Sequence, residues 1–215
     1  MKLFVWDFHG VLEKGNDLAV LDITNKVLEQ AGYSERLNED SAVEYYGLKW
    51  YEYFERLLPR LSSEECEALQ AACFKLCENN IDMLAARIKV NDFAIEVLGK
   101  IEASKNEMIL LSNTRQPDLL WFMDVIGIKK YFPTGKVFGV NAHERHGEKE
   151  DALRDYLDGK TFEKIIIIGD SVSDMDLKHV AGGITYYYSR PPLRPMSKTE
   201  ADYFITDLRE ILKQL

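Results

Sequence analysis

Four short apolar runs along the chain each give way to small or polar residues: Lys2 to Trp6, Glu107 to Leu111, Lys164 to Ile168 and Ile184 to Tyr188. Runs of this length, bounded by turn residues, are the pattern of strands buried on both faces, as in a parallel sheet. Val137 to Val140 and Tyr203 to Ile205 are weaker candidates of the same kind. Between the later runs lie stretches with apolar residues at three and four spacing: Asp92 to Glu102, Pro117 to Ile126, Lys149 to Leu157 and Asp174 to Val180. Strands alternating with helices predict an α/β fold built on a doubly wound parallel sheet.

The segment after the first run breaks this alternation. From Lys14 to Ile88 the period is helical, carried by Leu18 to Ala31, Ala42 to Leu58 and Ser62 to Asn79, and no strand pattern is convincing. Ser62 and Ser63 ahead of Glu65 mark a helix start. The organisation expected is an α/β core, residues 1–13 and 89–215, with a small helical domain, residues 14–88, inserted after the first strand. An insert rising from the carboxyl end of a strand lies by the usual ligand crevice of an open α/β sheet, which makes it a candidate lid. Cys66, Cys73 and Cys77 fall seven and four residues apart, which places them on one helix face. With no histidine between them, they read as a packing stripe rather than a metal site.

Composition narrows the function classes. A chain of 215 residues, 46% hydrophobic and 29% charged, has room for one buried core and a smaller appendage. A net charge of -9 argues against nucleic acid as a partner, because that needs clustered lysine and arginine. No apolar run approaches the roughly 20 residues that span a bilayer. The first run meets Asp7 too soon for a signal peptide. A soluble, cytoplasmic protein with no membrane partner, either monomer or homodimer, is the expectation.

Chemistry gathers where the apolar runs end. Asp7, Phe8, His9, Gly10, Val11, Leu12 follow the first run, and Gly169, Asp170, Ser171, Val172, Ser173, Asp174 follow the run from Ile165 to Ile168. A carboxylate such as Asp7 can attack phosphorus and form an aspartyl-phosphate. Asp7 and Asp170 at adjacent strand ends are hard oxygen ligands that suit Mg²⁺, and the ion would offset their repulsion of a phosphate. Asp174 could hold a metal-bound water or cap the following helix. Ser112 and Asn113, after Leu110 and Leu111, offer a hydroxyl and a backbone N–H to phosphoryl oxygens, and Lys149 could bring a cation. Taken singly, each has an ordinary explanation as a turn, cap or surface residue.

Their order carries more weight. Asp7 after the first strand, Ser112 after a helical insert, Lys149 opening a helix, then Gly169 and Asp170 with Asp174, resemble the four motifs of the haloacid dehalogenase-like hydrolase superfamily. The resemblance spans nearly the whole core, and the insert looks like that family's helical cap of the first type. It implies a Rossmann-like core and a Mg²⁺-dependent phosphatase acting on a small phosphorylated metabolite. Asp7 would be the nucleophile. Asp7, Asp170 and the main-chain carbonyl of His9 would hold the metal, Asp174 would support it through water, and Ser112 and Lys149 would bind the phosphoryl group.

The sequence departs from the family at one place. Two residues after the nucleophile the family's phosphatases carry an Asp that protonates the leaving oxygen, and here that residue is His9. Histidine can also hold or release a proton near neutrality. Three readings stay open: a phosphatase with His9 as acid and base, a hydrolase of another bond type (phosphonatase or dehalogenase-like), or a weakly active binding or regulatory member. Phospho-accepting receiver domains share the acidic site, hydroxyl and lysine, but not this order.

Substrate selection is expected from the insert, where Tyr45, Tyr46, Gly47, Leu48, Lys49, Trp50 and Arg56 combine aromatic and cationic side chains. The same spacing also suits the insert's own core. Tyr186, Tyr187, Tyr188, Arg190 and Arg194 form a second such stretch, at the rim of the site or at a contact between copies. His143, Arg145 and His146 lack a fourth ligand for a transition metal. His179 reads as a surface or packing residue.

Overall fold

The computed structural model describes the chain except residues 46–47, 141–148 and 190–199. Tyr46, Gly47, His143, Arg145, His146, Arg190 and Arg194 therefore lie outside the described residues. In chain order the strands are β1 Lys2–Trp6, β2 Glu13–Lys14, β3 Lys89–Val90, β4 Glu107–Ser112, β5 Val137–Gly139, β6 Lys164–Gly169, β7 Ile184–Tyr188 and β8 Tyr203–Ile205. The α-helices are α1 Asn16–Gln30, α2 Glu39–Tyr45, α3 Trp50–Leu57, α4 Ser63–Asn79, α5 Ile81–Arg87, α6 Ala94–Ala103, α7 Gln116–Val125, α8 Lys149–Leu157, α9 Val172–Asp176 and α10 Lys178–Ala181. They form two compact units, one of Met1–Lys14 with Lys89–Leu215 and one of Gly15–Ile88.

The first unit is built on a six-stranded sheet in the order β5-β4-β1-β6-β7-β8, and every neighbouring pair runs parallel. From β1 the chain winds outward through β4 and β5, then returns to the other flank of β1 with β6 and winds through β7 and β8. This is the doubly wound order, with a switch point between β1 and β6. Burial on both faces explains the unbroken apolar runs: Leu3, Phe4, Val5 and Trp6 are each at most 1% exposed. Leu3, Val5, Ile109, Leu111 and Ile167 face one way and close a core with Leu153 and Tyr156 of α8 and Leu177.

The second unit is wholly helical among the described residues. Ser62 caps α4, accepting the N–H of Glu65, whose carboxylate takes the N–H of Ser62 in return at 2.8 Å. Cys66 and Cys73 are buried and Cys77 partly so, and burial pushes the Cys66 and Cys73 thiols up, as suits packing rather than reactivity. The single helix expected over Ala42 to Leu58 is two, α2 and α3. Lys49 is extended, and its N–H is taken by the Glu52 carboxylate at 2.7 Å, so α3 starts afresh there. Asp174 to Val180 likewise divides into α9 and α10, because hydrogen bonds from Leu177 to Asp174 and from Val180 to Leu177 tighten the turn.

Away from the carboxyl ends of the strands, Glu107 at the start of β4 meets Tyr156 Oη and Lys136, the latter at 2.8 Å. Burial opposes the Glu107 charge, but the hydrogen bonds from Lys136 and Tyr156 outweigh it and hold the carboxyl below its usual range. A depressed carboxylate stabilises the fold above its unfolded pKa and stops doing so as pH falls through its folded one. Glu107→Gln is expected to cost roughly 1 kcal/mol at pH 7, about 2–4 °C in Tm, and the difference from wild type should shrink in thermal melts taken toward pH 3.

Candidate active site

In-register pairing sets the site. Trp6 stands opposite Leu110 on one side and Ile168 on the other, so the residues that follow, Asp7, Ser112 and Asp170, emerge together at the carboxyl edge. The Asp7 N–H still donates to the Ile168 carbonyl at 2.9 Å. The chain then turns sharply: the Phe8 carbonyl accepts from both Leu12 and Glu13 at 3.0 Å, and Gly10 takes φ +80°, which costs glycine little.

Asp7, Asp170 and Asp174 are all buried, and each offers an oxygen within 4.8 Å of the others. Lys149, the first residue of α8 and equally buried, bridges two of them: its Nζ lies 2.5 Å from Asp7 Oδ1 and 2.6 Å from Asp174 Oδ1. Three carboxylates against one ammonium leave a formal charge of -2. Burial, with help from Asp174, pushes the Asp7 carboxyl up to about 6 even though Lys149 pulls it down. Burial alone would depress the Lys149 ammonium, but Asp174 and Asp7 overcome it and hold it above its ordinary value. A site with this excess of hard anionic oxygen fits a divalent cation.

Asp174 is also a structural residue. Its Oδ2 accepts the N–H groups of Asp170 at 3.2 Å and Ser171 at 3.1 Å and the Ser171 hydroxyl at 2.6 Å, while Ser171 Oγ accepts the N–H of Asp174 at 3.3 Å. This reciprocal box starts α9. It works because residue 169 has no side chain, since a Cβ on Gly169 would lie 2.1 Å from Asp174 Cβ and 2.6 Å from Asp174 Oδ2.

Ser112 ends β4, buried, its hydroxyl donating to Thr114 Oγ1 at 3.1 Å, and Asn113 is exposed in the turn beyond. His9 is half-buried; its Nδ1 is 2.8 Å from Glu13 Oε2, and its ring meets the rings of Phe8 and Phe122 edge-on at 4.9 and 5.5 Å. Lys49, Trp50 and Arg56 belong to the second unit. There Trp50 Nε1 donates to Thr24 Oγ1 at 3.0 Å and its ring packs on Phe74, while Arg56 lies over the Tyr45 ring. Tyr186, Tyr187 and Tyr188 are core residues of β7 rather than a rim, each at most 4% exposed, because β6 and β8 flank that strand. His179 is exposed.

Glu13 and Ser171 escaped sequence reasoning. Glu13 stands four residues after His9, a spacing that signals pairing on a helix but not in the turn that joins β1 to β2. Ser171 followed by Asp174 has capping-box spacing, and that was the available signal.

A family model described as haloacid dehalogenase-like hydrolase matches residues 4–184. The chain belongs to this hydrolase family. Solved structures agree in fold. A haloacid dehalogenase-like family hydrolase from Streptococcus pneumoniae superposes with a TM-score of 0.75 at 14% identity, covering 99% of this chain and 97% of that one. A predicted phosphoglycolate phosphatase from Haemophilus somnus gives 0.79 at 17% identity, with 99% and 96% covered. A predicted phosphatase from Clostridium acetobutylicum gives 0.77 at 13% identity, with 99% and 96% covered. No curated protein matches the chain by sequence. Among the described residues, no helix is long and apolar enough to cross a membrane.

Gly169→Ala tests the packing of this hydrolase's acidic cluster. The added methyl must displace Asp174 from its box, so the variant is expected to lose at least about 2 kcal/mol, which thermal melts would register as a Tm lower by about 4 °C or more.

Proposed function

We propose that the chain is a Mg²⁺-dependent phosphohydrolase acting on a small phosphorylated metabolite through an aspartyl-phosphate on Asp7. The observation that carries this reading is the buried cluster of Asp7, Asp170 and Asp174 with Lys149 between them, at the switch point of a parallel sheet. Asp7, Asp170 and the His9 carbonyl would hold the ion, with Asp174 reaching it through water. The ion would supply positive charge against the phosphoryl oxygens.

The protein's own groups do the rest. Asp7 is the nucleophile, buried where its attack faces little competition from solvent. Lys149 and Ser112, with the N–H of Asn113, bind the phosphoryl group and take up charge as it develops. His9 gives a proton to the leaving oxygen and takes one from the water that hydrolyses the intermediate. The unit Gly15–Ile88 is the cap that selects substrate, with Lys49, Trp50 and Arg56 as candidate selectors. Trp50 and Arg56 would contribute through the packing of that unit as much as by contact.

Phosphate release from a panel of phosphomonoesters checks the reading. Activity should require Mg²⁺, vanish in EDTA and fall by about 10³-fold or more in Asp7→Asn. Asp170→Asn should abolish the rise in Tm that Mg²⁺ confers on the wild type. Replacing His9 by Asn should cost roughly 10²–10⁴-fold in kcat. A wild type that releases no phosphate while His9→Asp does would overturn the role given to His9 and favour cleavage of another bond.

A further inference from the structure

Glu13 is fully buried, 0% exposed, in a chain segment that otherwise turns apolar side chains inward. A carboxyl group withdrawn from water is costly unless its oxygens are hydrogen-bonded, so its burial needs a reason. The reason on display is His9: Glu13 Oε2 lies 2.8 Å from His9 Nδ1. Glu13 comes there because the Phe8 carbonyl gathers the N–H groups of Leu12 and Glu13, folding the chain so that residues 9 and 13 run side by side. The imidazole also makes T-shaped contacts with the rings of Phe8 and Phe122. A ring packed on two aromatic residues and tied at one nitrogen has little rotational freedom left.

We propose that Glu13 is a positioning residue: its carboxylate holds His9 with the proton on Nδ1, so that Nε2 is the nitrogen that exchanges protons with the reacting oxygen. A carboxylate accepts and does not donate, so the nitrogen beside it must carry hydrogen. This rests on the phosphohydrolase reading above. In the first step the Asp7 oxygen bonds to phosphorus, the bond to the leaving oxygen breaks, and that oxygen keeps the electron pair and takes the proton from Nε2. His9 is left neutral, still an Nδ1–H donor to Glu13, with the Nε2 lone pair facing the site. In the second step water bonds to phosphorus, the acyl phosphate P–O bond breaks and returns its pair to Asp7, and the proton of water goes to Nε2. Without Glu13 the neutral ring could hold its proton on Nε2 and would then be unable to accept in the second step.

The test uses Glu13→Gln, which keeps the shape of the side chain but can donate as well as accept. With an alkyl phosphomonoester, kcat should fall about 10–100-fold at near-constant KM. With 4-nitrophenyl phosphate, whose leaving group needs no proton, formation of the aspartyl-phosphate, read as the nitrophenolate burst, should change little. In a His9→Asn background, Glu13→Gln should cause no further loss, because a residue acting through His9 has nothing left to act on. Equal losses in both backgrounds, or a nitrophenolate burst slowed as much as turnover of the alkyl ester, would mean a role in folding alone and would overturn the proposal. Separately, ¹⁵N NMR of the neutral His9 ring should show the Nδ1–H tautomer in the wild type and a shift toward Nε2–H in Glu13→Gln. A wild-type ring in the Nε2–H form overturns the proposal whatever the kinetics. If no phosphomonoester is turned over but the Nδ1–H form is present, the phosphatase reading falls and the held tautomer stands.

Discussion

Carboxylates crowded at the end of a sheet repel one another, and much of this fold is arranged to contain that repulsion. Parallel strands with a common register deliver Asp7 and Asp170 side by side, where solvent can do little to screen them. Lys149 enters from the first turn of α8 to bridge Asp7 and Asp174, and α8 in turn is anchored on the sheet through Leu153 and Tyr156. Asp174 is further fixed by backbone N–H groups and by Ser171. The cluster thus depends on the whole core for its position. The negative charge left over after Lys149 is counted makes the site one that would suit a cation.

The central strands were legible because burial on both faces leaves an apolar signature without alternation, and β1 and β7 span the predicted residues. Other features lay below the resolution of a periodicity argument. Two residues each in β2 and β3 are too few to show a period. The apolar spacing of Ala42 to Leu58 runs straight through a helix boundary, because the capping carboxylate of Glu52 is spent on the backbone of Lys49 and leaves no mark on the hydrophobic pattern. At Tyr186 to Tyr188 the buried-strand reading holds and the rim reading does not: the rings fill the core, and Tyr186 Oη still meets Gln214.

For the candidate site, Asp7, Ser112 and Asp170 could be read from where the strands end, since the ends of neighbouring parallel strands must meet, while Lys149 and Asp174 could be read from their order along the chain. Partners that depend on a turn's path could not. Glu13 meets His9 only because a single carbonyl, that of Phe8, collects three N–H groups, those of Val11, Leu12 and Glu13, and folds the chain over Gly10. Nothing in residue spacing foretells that curl. The gathering of side chains was thus visible in its long-range parts and hidden in its short-range ones, an inversion of the usual experience with secondary structure.

The short antiparallel pair β2 and β3 carries a consequence for how this chain can vary. Glu13 pairs with Val90 and Lys14 with Lys89, so the points at which the helical unit leaves and rejoins the core are neighbours one strand spacing apart, about 5 Å. Closure of a segment between fixed neighbouring ends depends only weakly on its length. The pair is therefore a socket. Segments of different size or architecture could be plugged in at the same two points while the sheet and its acidic edge stay as they are, so the insert can change without the strands being rebuilt.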